Sequence, residues 1–292
     1  MPYVPHYRMV VKSRSDFEHV NWNTAQGLSP CALESGEDMT SPGVDLSGKV
    51  ACITGGGQGL GASMAIALAE AGADLVLIGR RPEPMAETAK ECEKFGVRAR
   101  PALCDVTDSV RVNALFGQVN KELGGPHILI NNAGVSLPSP ILETTDELWR
   151  ETIDLNLSGM FYCCRAAVRF MLEAGEGKIV NLGSGAGSRG RPNQVAYAAS
   201  KSGVRGFTEA LAVELAEKNI QVNNIAPGRF PTPMTVARIA DPAQSEEFLR
   251  YVPMKRYGEL EEIRPLVAYL CGPQSDYMTG QTIYLDGGSN AL

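Results

Sequence analysis

From Lys49 onward the sequence alternates between short, continuous apolar runs and longer stretches of helical period. KVACIT and DLVLIG are runs of β-forming residues without polar alternation, and GASMAIALAEAGA between them reads as a helix ending at Gly72. The alternation continues. VRARPALCDV reads as strand, SVRVNALFGQVNKEL as helix, HILINNAG as strand and turn. TDELWRETIDLNLSGMFYCCRAAVRFML is a long helical stretch, GKIVNLGSG a strand, AYAASKSGVRGFTEALAVELAEK a helix and IQVNNIAPG a strand. LEEIRPLVAYLC and QTIYLDGG close the series as helix and strand. A strand that stays apolar along its length is covered on both faces, and intervening helices make such strands parallel. The pattern therefore predicts an α/β fold, a doubly wound parallel sheet with helices on both faces, in a single domain over residues 46–292. Sheets of this kind bind ligands outside the carboxyl ends of their strands.

Residues 1–45 have a different character. LSPCALESGEDMTSPGVD is rich in Ser, Pro, Gly and acids and has no period, as a linker or partly ordered arm would. The prolines and charges of MPYVPHYRMVVKSRSDFEHV leave no room for the apolar core of a signal peptide. No apolar segment is long enough to cross a membrane. The net charge of −6 and the absence of a basic run argue against nucleic acid or an anionic membrane as partner. Seven scattered cysteines without a C-x-x-C pair read as buried, reduced thiols of a cytoplasmic protein. His6, His19 and His127 are the three histidines, too few and too dispersed for a zinc site or a histidine-based triad, so no metal is expected.

TGGGQGLG, Thr54 to Gly61, follows the first strand and opens the first helix. Backbone approaches a pyrophosphate closely only where Cβ atoms are missing, and a helix N-terminus favours negative charge. This context predicts a Rossmann-like dinucleotide site, with Gly55, Gly59 and Gly61 as the spaced glycines. The second strand ends at Gly79, followed by Arg80 and Arg81 rather than by an acid. An arginine there pairs with a ribose 2′-phosphate, whereas an acid would take the free hydroxyl of NAD. NADP(H) is the expected cofactor and NAD(H) the alternative.

VAYAASKSGV holds Tyr197 and Lys201, four positions apart and so on one face of a helix. A cation beside a phenol lowers its pKa and fits it for proton transfer. Taken together, these motifs identify a resemblance to the short-chain dehydrogenase/reductase family over about residues 46–292. TGGGQGLG resembles the cofactor turn, with Gln58 and Leu60 among its contacts. CDVTD places Asp105 and Val106 at the adenine. NNAG places Asn132, Ala133 and Gly134 beside the cofactor. APGRFPTPM places Pro227, Gly228 and Thr232 at the nicotinamide, and YLDGGSN resembles the closing strand. The resemblance implies a catalytic set of Asn156, Ser184, Tyr197 and Lys201. Tyr197 is the general acid/base. Lys201 lowers its pKa and binds the nicotinamide ribose. Ser184 polarises the substrate oxygen, and Asn156 anchors a water of the proton relay. Gln58 stands where some NADP-preferring members carry a basic residue.

The implied activity is an NAD(P)(H)-dependent interconversion of a secondary alcohol and a ketone, on a small-molecule substrate. Ser136, Gly185, Gln194 and Phe230 fall by position near the reacting carbon. Gluconate 5-dehydrogenases and 3-oxoacyl-carrier-protein reductases are the most similar in general look. The resemblance also implies a homotetramer in which the helices at LNLSGMFYCCRAAVRFM and YAASKSGVRGFTEALAVEL pair between subunits. A non-catalytic dinucleotide sensor or scaffold on the same fold is the alternative; such proteins usually lack the tyrosine or the lysine, and both are present here.

Overall fold

The structure, a computed structural model, describes residues 43–291; most of the N-terminal segment read as an arm lies outside them. Seven strands form one parallel sheet: β1 (Val50–Thr54), β2 (Asp74–Gly79), β3 (Ala99–Leu103), β4 (Ile128–Asn131), β5 (Gly177–Leu182), β6 (Ile220–Pro227) and β7 (Thr282–Leu285). Their order is β3-β2-β1-β4-β5-β6-β7. The chain winds outward from β1 to β3, returns past β1 to β4, and winds the other way. The reversal lies between β1 and β4, whose register runs from Ala51 opposite Ile128 to Thr54 opposite Asn131.

Side-chain alternation along each strand divides the core into two layers. Ala51 and Ile53 of β1 pack with Leu75 and Leu77 of β2. Against them lie α1 (Gly59–Glu70), α2 (Pro82–Glu93) and α9 (Arg264–Cys271), which contribute Leu68, Met85 and Val267. Val50 and Cys52 point to the other side with Val76 and Ile78. There α3 (Ser109–Leu123), α5 (Gly159–Ala174) and α6 (Val195–Leu215) close the layer with Phe116, Met171 and Leu215. The doubly wound fold read from the sequence is the fold observed.

Three local differences stand out. α2 has no counterpart in the sequence reading, and its first turn carries Pro82 and Pro84. β3 is not apolar throughout: it is an edge strand, and only Ala99 is buried. The long helical stretch is divided. α4 (Asp146–Ile153) passes into a π-helical segment, Asp154–Ser158, before α5 begins. Two further helices, α7 (Val236–Ala240) and α8 (Pro242–Arg250), follow β6. The six described cysteines are free and buried. Burial pushes the thiols of Cys52, Cys164 and Cys271 up to about 12.

Candidate active site

A cleft of about 370 Å³ opens at the carboxyl ends of the strands. Its size suits a small-molecule site. Gly55 follows β1, Asn132 follows β4, Gly183 follows β5, and Pro227 ends β6; all four line it.

At one end the glycine turn leads into α1. Gly55 has φ +64°, and a Cβ there would stand 2.8 Å from the Asn132 side-chain nitrogen. A Cβ on Gly61 would stand 2.1 Å from the Gly55 carbonyl oxygen. Gly61 is thus not a wall of the cleft; it lets the first turn of α1 sit directly behind the loop. Asn132 fixes the loop from the β4 side. Its Nδ2 donates to the carbonyls of Thr54 and Gly55, both at 3.0 Å. The Thr54 hydroxyl in turn accepts from the backbone amides of Asn132 and Ala133. The result is a cradle free of side chains with a helix N-terminus behind it, as a pyrophosphate requires.

Gln58, Gly59, Leu60, Arg80, Arg81, Asp105, Val106, Ala133, Gly134, Gly228 and Thr232 also line the cleft, as expected from the sequence. Arg80 Nη1 lies 3.7 Å from Asp105 Oδ2. Burial alone would push the Asp105 carboxyl up; hydrogen bonds from the Thr107 amide and hydroxyl and the nearby Arg80 and Arg111 charges hold it below its usual range. Thr232 is pinned by Thr235, whose hydroxyl accepts from the Thr232 amide at 2.9 Å and donates to the Phe230 carbonyl at 2.5 Å.

At the other end Ser184 and Tyr197 both line the cleft. Ser184 Oγ accepts from the Ala186 amide at 3.1 Å, which fixes its rotamer. Lys201 is buried and donates from Nζ to the Leu182 carbonyl at 2.6 Å. The Lys201 Nζ is turned to the end of β5 and lies over the Tyr197 ring, 5.9 Å from its centre. Burial raises the Tyr197 phenol above its usual value, opposed by the Ser184 hydroxyl and by the positive charge of Arg191.

Asn156 lies in the π-helical segment and is buried. Its Oδ1 accepts from the Val135 amide at 2.7 Å, and its Nδ2 donates to the Val135 carbonyl and to Ser200 Oγ. It clamps the strand-end loop that carries Gly134 to the helix that carries Tyr197. It thus bonds outside its own helix, and the wide turn is what aims it there. Ser136, Gln194 and Phe230 line the cleft; Gly185 does not, and Ala186 forms that part of the wall. Gly185 starts a 3-10 turn and is buried behind it. Phe230 is 3% exposed, its ring packed where a Cβ on Gly258 would fall. Sequence reasoning missed Arg191, which lines the cleft together with Arg229 and Phe248.

Burial lowers the Lys201 ammonium from an ordinary 10.5 to about 8. Holding it charged near neutrality costs the cofactor-free fold about 3 kcal/mol. Between pH 8 and 10.5 the unfolded chain binds a proton that the folded chain does not, so stability rises with pH across that window. The excess unfolding free energy of the wild type over Lys201→Met is expected to grow by about 3 kcal/mol from pH 7.5 to pH 10.5. Denaturant titrations at several pH values read this directly, and a pH-independent difference contradicts it.

A family model described as short chain dehydrogenase matches residues 49–243. The chain belongs to the short-chain dehydrogenase family. It is 38% identical over 244 residues to the 3-oxoacyl-acyl-carrier-protein reductase of Chlamydia muridarum, covering 83% of this chain and 98% of that one. It is 38% identical over 246 residues to 3beta-hydroxysteroid dehydrogenase 1 of Eggerthella lenta, covering 84% and 94%. Among solved structures, a gluconate 5-dehydrogenase from Burkholderia cenocepacia in complex with NADP and tartrate superposes with a TM-score of 0.81 at 34% identity, over 85% of this chain and 97% of that one. As a member of this family the chain is an oxidoreductase. Among the described residues no helix is long and apolar enough to cross a membrane.

Proposed function

We propose that this short-chain dehydrogenase interconverts a secondary alcohol and a ketone with NADP(H) as preferred cofactor, using Tyr197 as general acid/base. The observation that carries the reading is one cleft lined by Ser184, Tyr197 and Lys201 at one end and by the glycine cradle at the other. When bound, the nicotinamide cofactor supplies or accepts the hydride. The chain supplies position and the proton. Gly55, Gly59 and the N-terminus of α1 hold the pyrophosphate, with Asn132 bracing the turn. Arg80 and Arg81 take the 2′-phosphate; the NADP of the Burkholderia relative supports this choice.

In ketone reduction the proton resides on Tyr197 Oη. The raised pKa keeps the phenol protonated near neutral pH, which suits a general acid. Ser184 Oγ donates to the substrate oxygen and holds it within reach of Oη. In alcohol oxidation Tyr197 must first lose its proton, which the Arg191 charge assists and burial resists. Oxidation is therefore the direction favoured by higher pH. Lys201, beside Gly134 and anchored on Leu182, would bind the nicotinamide ribose and supply positive charge there. Asn156 holds the Gly134 loop and the Tyr197 helix in register.

The reading is tested by following reduced-nicotinamide absorbance with NADPH and NADH against a panel of ketones, keto acids and 3-oxoacyl thioesters. Turnover is expected, faster with NADPH. Arg80→Ala is expected to lower kcat/KM for NADPH by about 10- to 100-fold, the worth of a charge-assisted hydrogen bond, with a far smaller change for NADH. An equal loss for both cofactors sinks the 2′-phosphate role. A homotetramer is part of the same proposal. Phe161 and Leu172 of α5 and Val213 of α6 are large exposed apolar residues on the two helices expected to pair; a monomer in sedimentation contradicts it.

A further inference from the structure

The reaction end of the cleft has an uneven charge distribution. Arg191 and Arg229 both line it, together with Ser184, Tyr197 and Gln194. The single carboxylate in the lining is Asp105, at the far end and within 3.7 Å of Arg80. Arg229 is held with its guanidinium 3.5 Å from the centre of the Phe248 ring. Arg191 is different. It is half-buried, and among the described residues its guanidinium has no hydrogen bond and no ion pair. Its electrostatic neighbours are Tyr197, Asp286 and Arg189, and burial lowers its pKa. Asp286 is not close enough to pair; its Oδ atoms accept from the Gly288 and Asn290 amides instead.

The loop that carries Arg191 is tied down on both sides. Ser188 hydrogen-bonds the Tyr284 hydroxyl, Arg189 donates to the Ser289 carbonyl at 3.1 Å, and the Asn193 carbonyl accepts from the Ser139 amide at 2.8 Å. The cation is therefore placed by the fold and not left to find its own solvent position. A guanidinium withdrawn from water without a protein partner is costly, and folded chains compensate buried charge by pairing it. A planar fork of N–H donors matches a carboxylate in particular.

We infer that Arg191 receives a carboxylate of the substrate, so that the alcohol or ketone turned over here is a hydroxy or keto acid whose charged group lies a few atoms from the reacting carbon. This rests on the oxidoreductase reading above and names its substrate class. Arg191 then sets specificity in two ways. It binds the anion, and it fixes the reacting oxygen at the Ser184–Tyr197 pair by gripping the other end of a short molecule. With Arg191, Arg229 and Lys201 and no acid in its lining, this end of the cleft also raises the local concentration of anions.

The test uses pairs of ketones that differ only in a carboxylate against its primary amide. The wild type is expected to favour the acid by about 10- to 100-fold in kcat/KM, the worth of a charge-assisted pair. In Arg191→Met the acid-to-amide ratio is expected to fall to near one, mainly through KM. Arg191→Lys should restore part of it, since it keeps the charge but not the fork. A second readout needs no turnover: calorimetric binding of an unreactive hydroxy acid to enzyme saturated with oxidised cofactor, expected for the wild type and lost in Arg191→Met. Melting curves confirm that each variant is folded. An unchanged ratio in Arg191→Met overturns the inference, and so does a variant that moves only the pH profile of turnover. Amides reduced as well as acids by the wild type would overturn the substrate class while leaving the oxidoreductase reading intact. Acid-selective binding without turnover of any substrate would do the reverse.

Discussion

Tyr197→Phe is expected to lower kcat by about a thousandfold while the dissociation constant of the cofactor changes less than threefold. The substitution removes one oxygen atom. That oxygen belongs to the only phenol in the cleft lining. General acid–base catalysis by a positioned side chain contributes about 10²- to 10⁴-fold. The effect falls on kcat because the proton moves only as the carbonyl changes. On the proposed reading cofactor binding rests mainly on the glycine turn, Asn132 and the arginines at the end of β2, away from the phenol oxygen. Initial-rate kinetics and a fluorescence titration with NADPH separate the two quantities. A variant that keeps more than a tenth of wild-type turnover removes Tyr197 from the chemistry. A variant that loses cofactor binding in parallel makes it structural.

Gly61→Ala is expected to destroy cofactor binding and to destabilise the fold by about 3 kcal/mol, the upper range for forcing atoms into a packed site. The added methyl would stand 2.1 Å from the Gly55 carbonyl oxygen and 2.6 Å from Asn132 Nδ2. Neither atom can yield cheaply. Gly55 O accepts from Asn132 Nδ2 at 3.0 Å, and that bond joins the β1 and β4 ends of the cradle. Moving α1 away instead withdraws its N-terminal amides from the phosphates. Gly117→Ala is the control. Gly117 lies in α3 with open space where its Cβ would fall. Alanine there removes the backbone freedom of glycine and is expected to stabilise by about 0.5–1 kcal/mol with no effect on the cofactor. Opposite signs for two Gly→Ala changes in helices would follow from geometry alone. Thermal unfolding and NADPH titration of both variants check it.

Much of the fold was legible because parallel strands are buried on both faces and so keep their apolar character from end to end. β1, β2 and β4 do so almost throughout, whereas β5 and β6 are largely buried yet carry Lys178, Asn181, Gln221, Asn223 and Asn224 among their apolar residues. α2 was not read, although its signals are present. Pro82 and Pro84 stand in its first turn, where the missing N–H of proline costs nothing. Met85, Ala89 and Cys92 follow at helical spacing, and all three are buried. The π segment has no such signal, because its hydrogen-bond shift depends on what Asn156 reaches across the interior.

The site shows the same division. Helical spacing placed Tyr197 beside Lys201, the family resemblance added Ser184, and the cleft contains all three. Spacing could not tell where the lysine head would point, because a four-residue separation fixes the helix face and leaves the rotamer open. Nor could it find Arg191. That residue stands six positions before Tyr197 in SRGRPNQ, a stretch without period, and meets the phenol only because the loop folds back over the cleft. A second cation at this end of the cleft thus came from the segment with the least regular pattern.

Hydride transfer at the Ser184–Tyr197 end of the cleft is tested most directly with NADPH deuterated at C4 of the nicotinamide. The wild-type enzyme is run against the ketone and keto-acid panel, and the products are weighed by mass spectrometry. One deuterium on the carbinol carbon of the product, with a slowed rate against unlabelled cofactor, is the predicted result. Product without label, or tight cofactor binding with no member of the panel consumed by either NADPH or NADH, would contradict it and return the chain to a binding role.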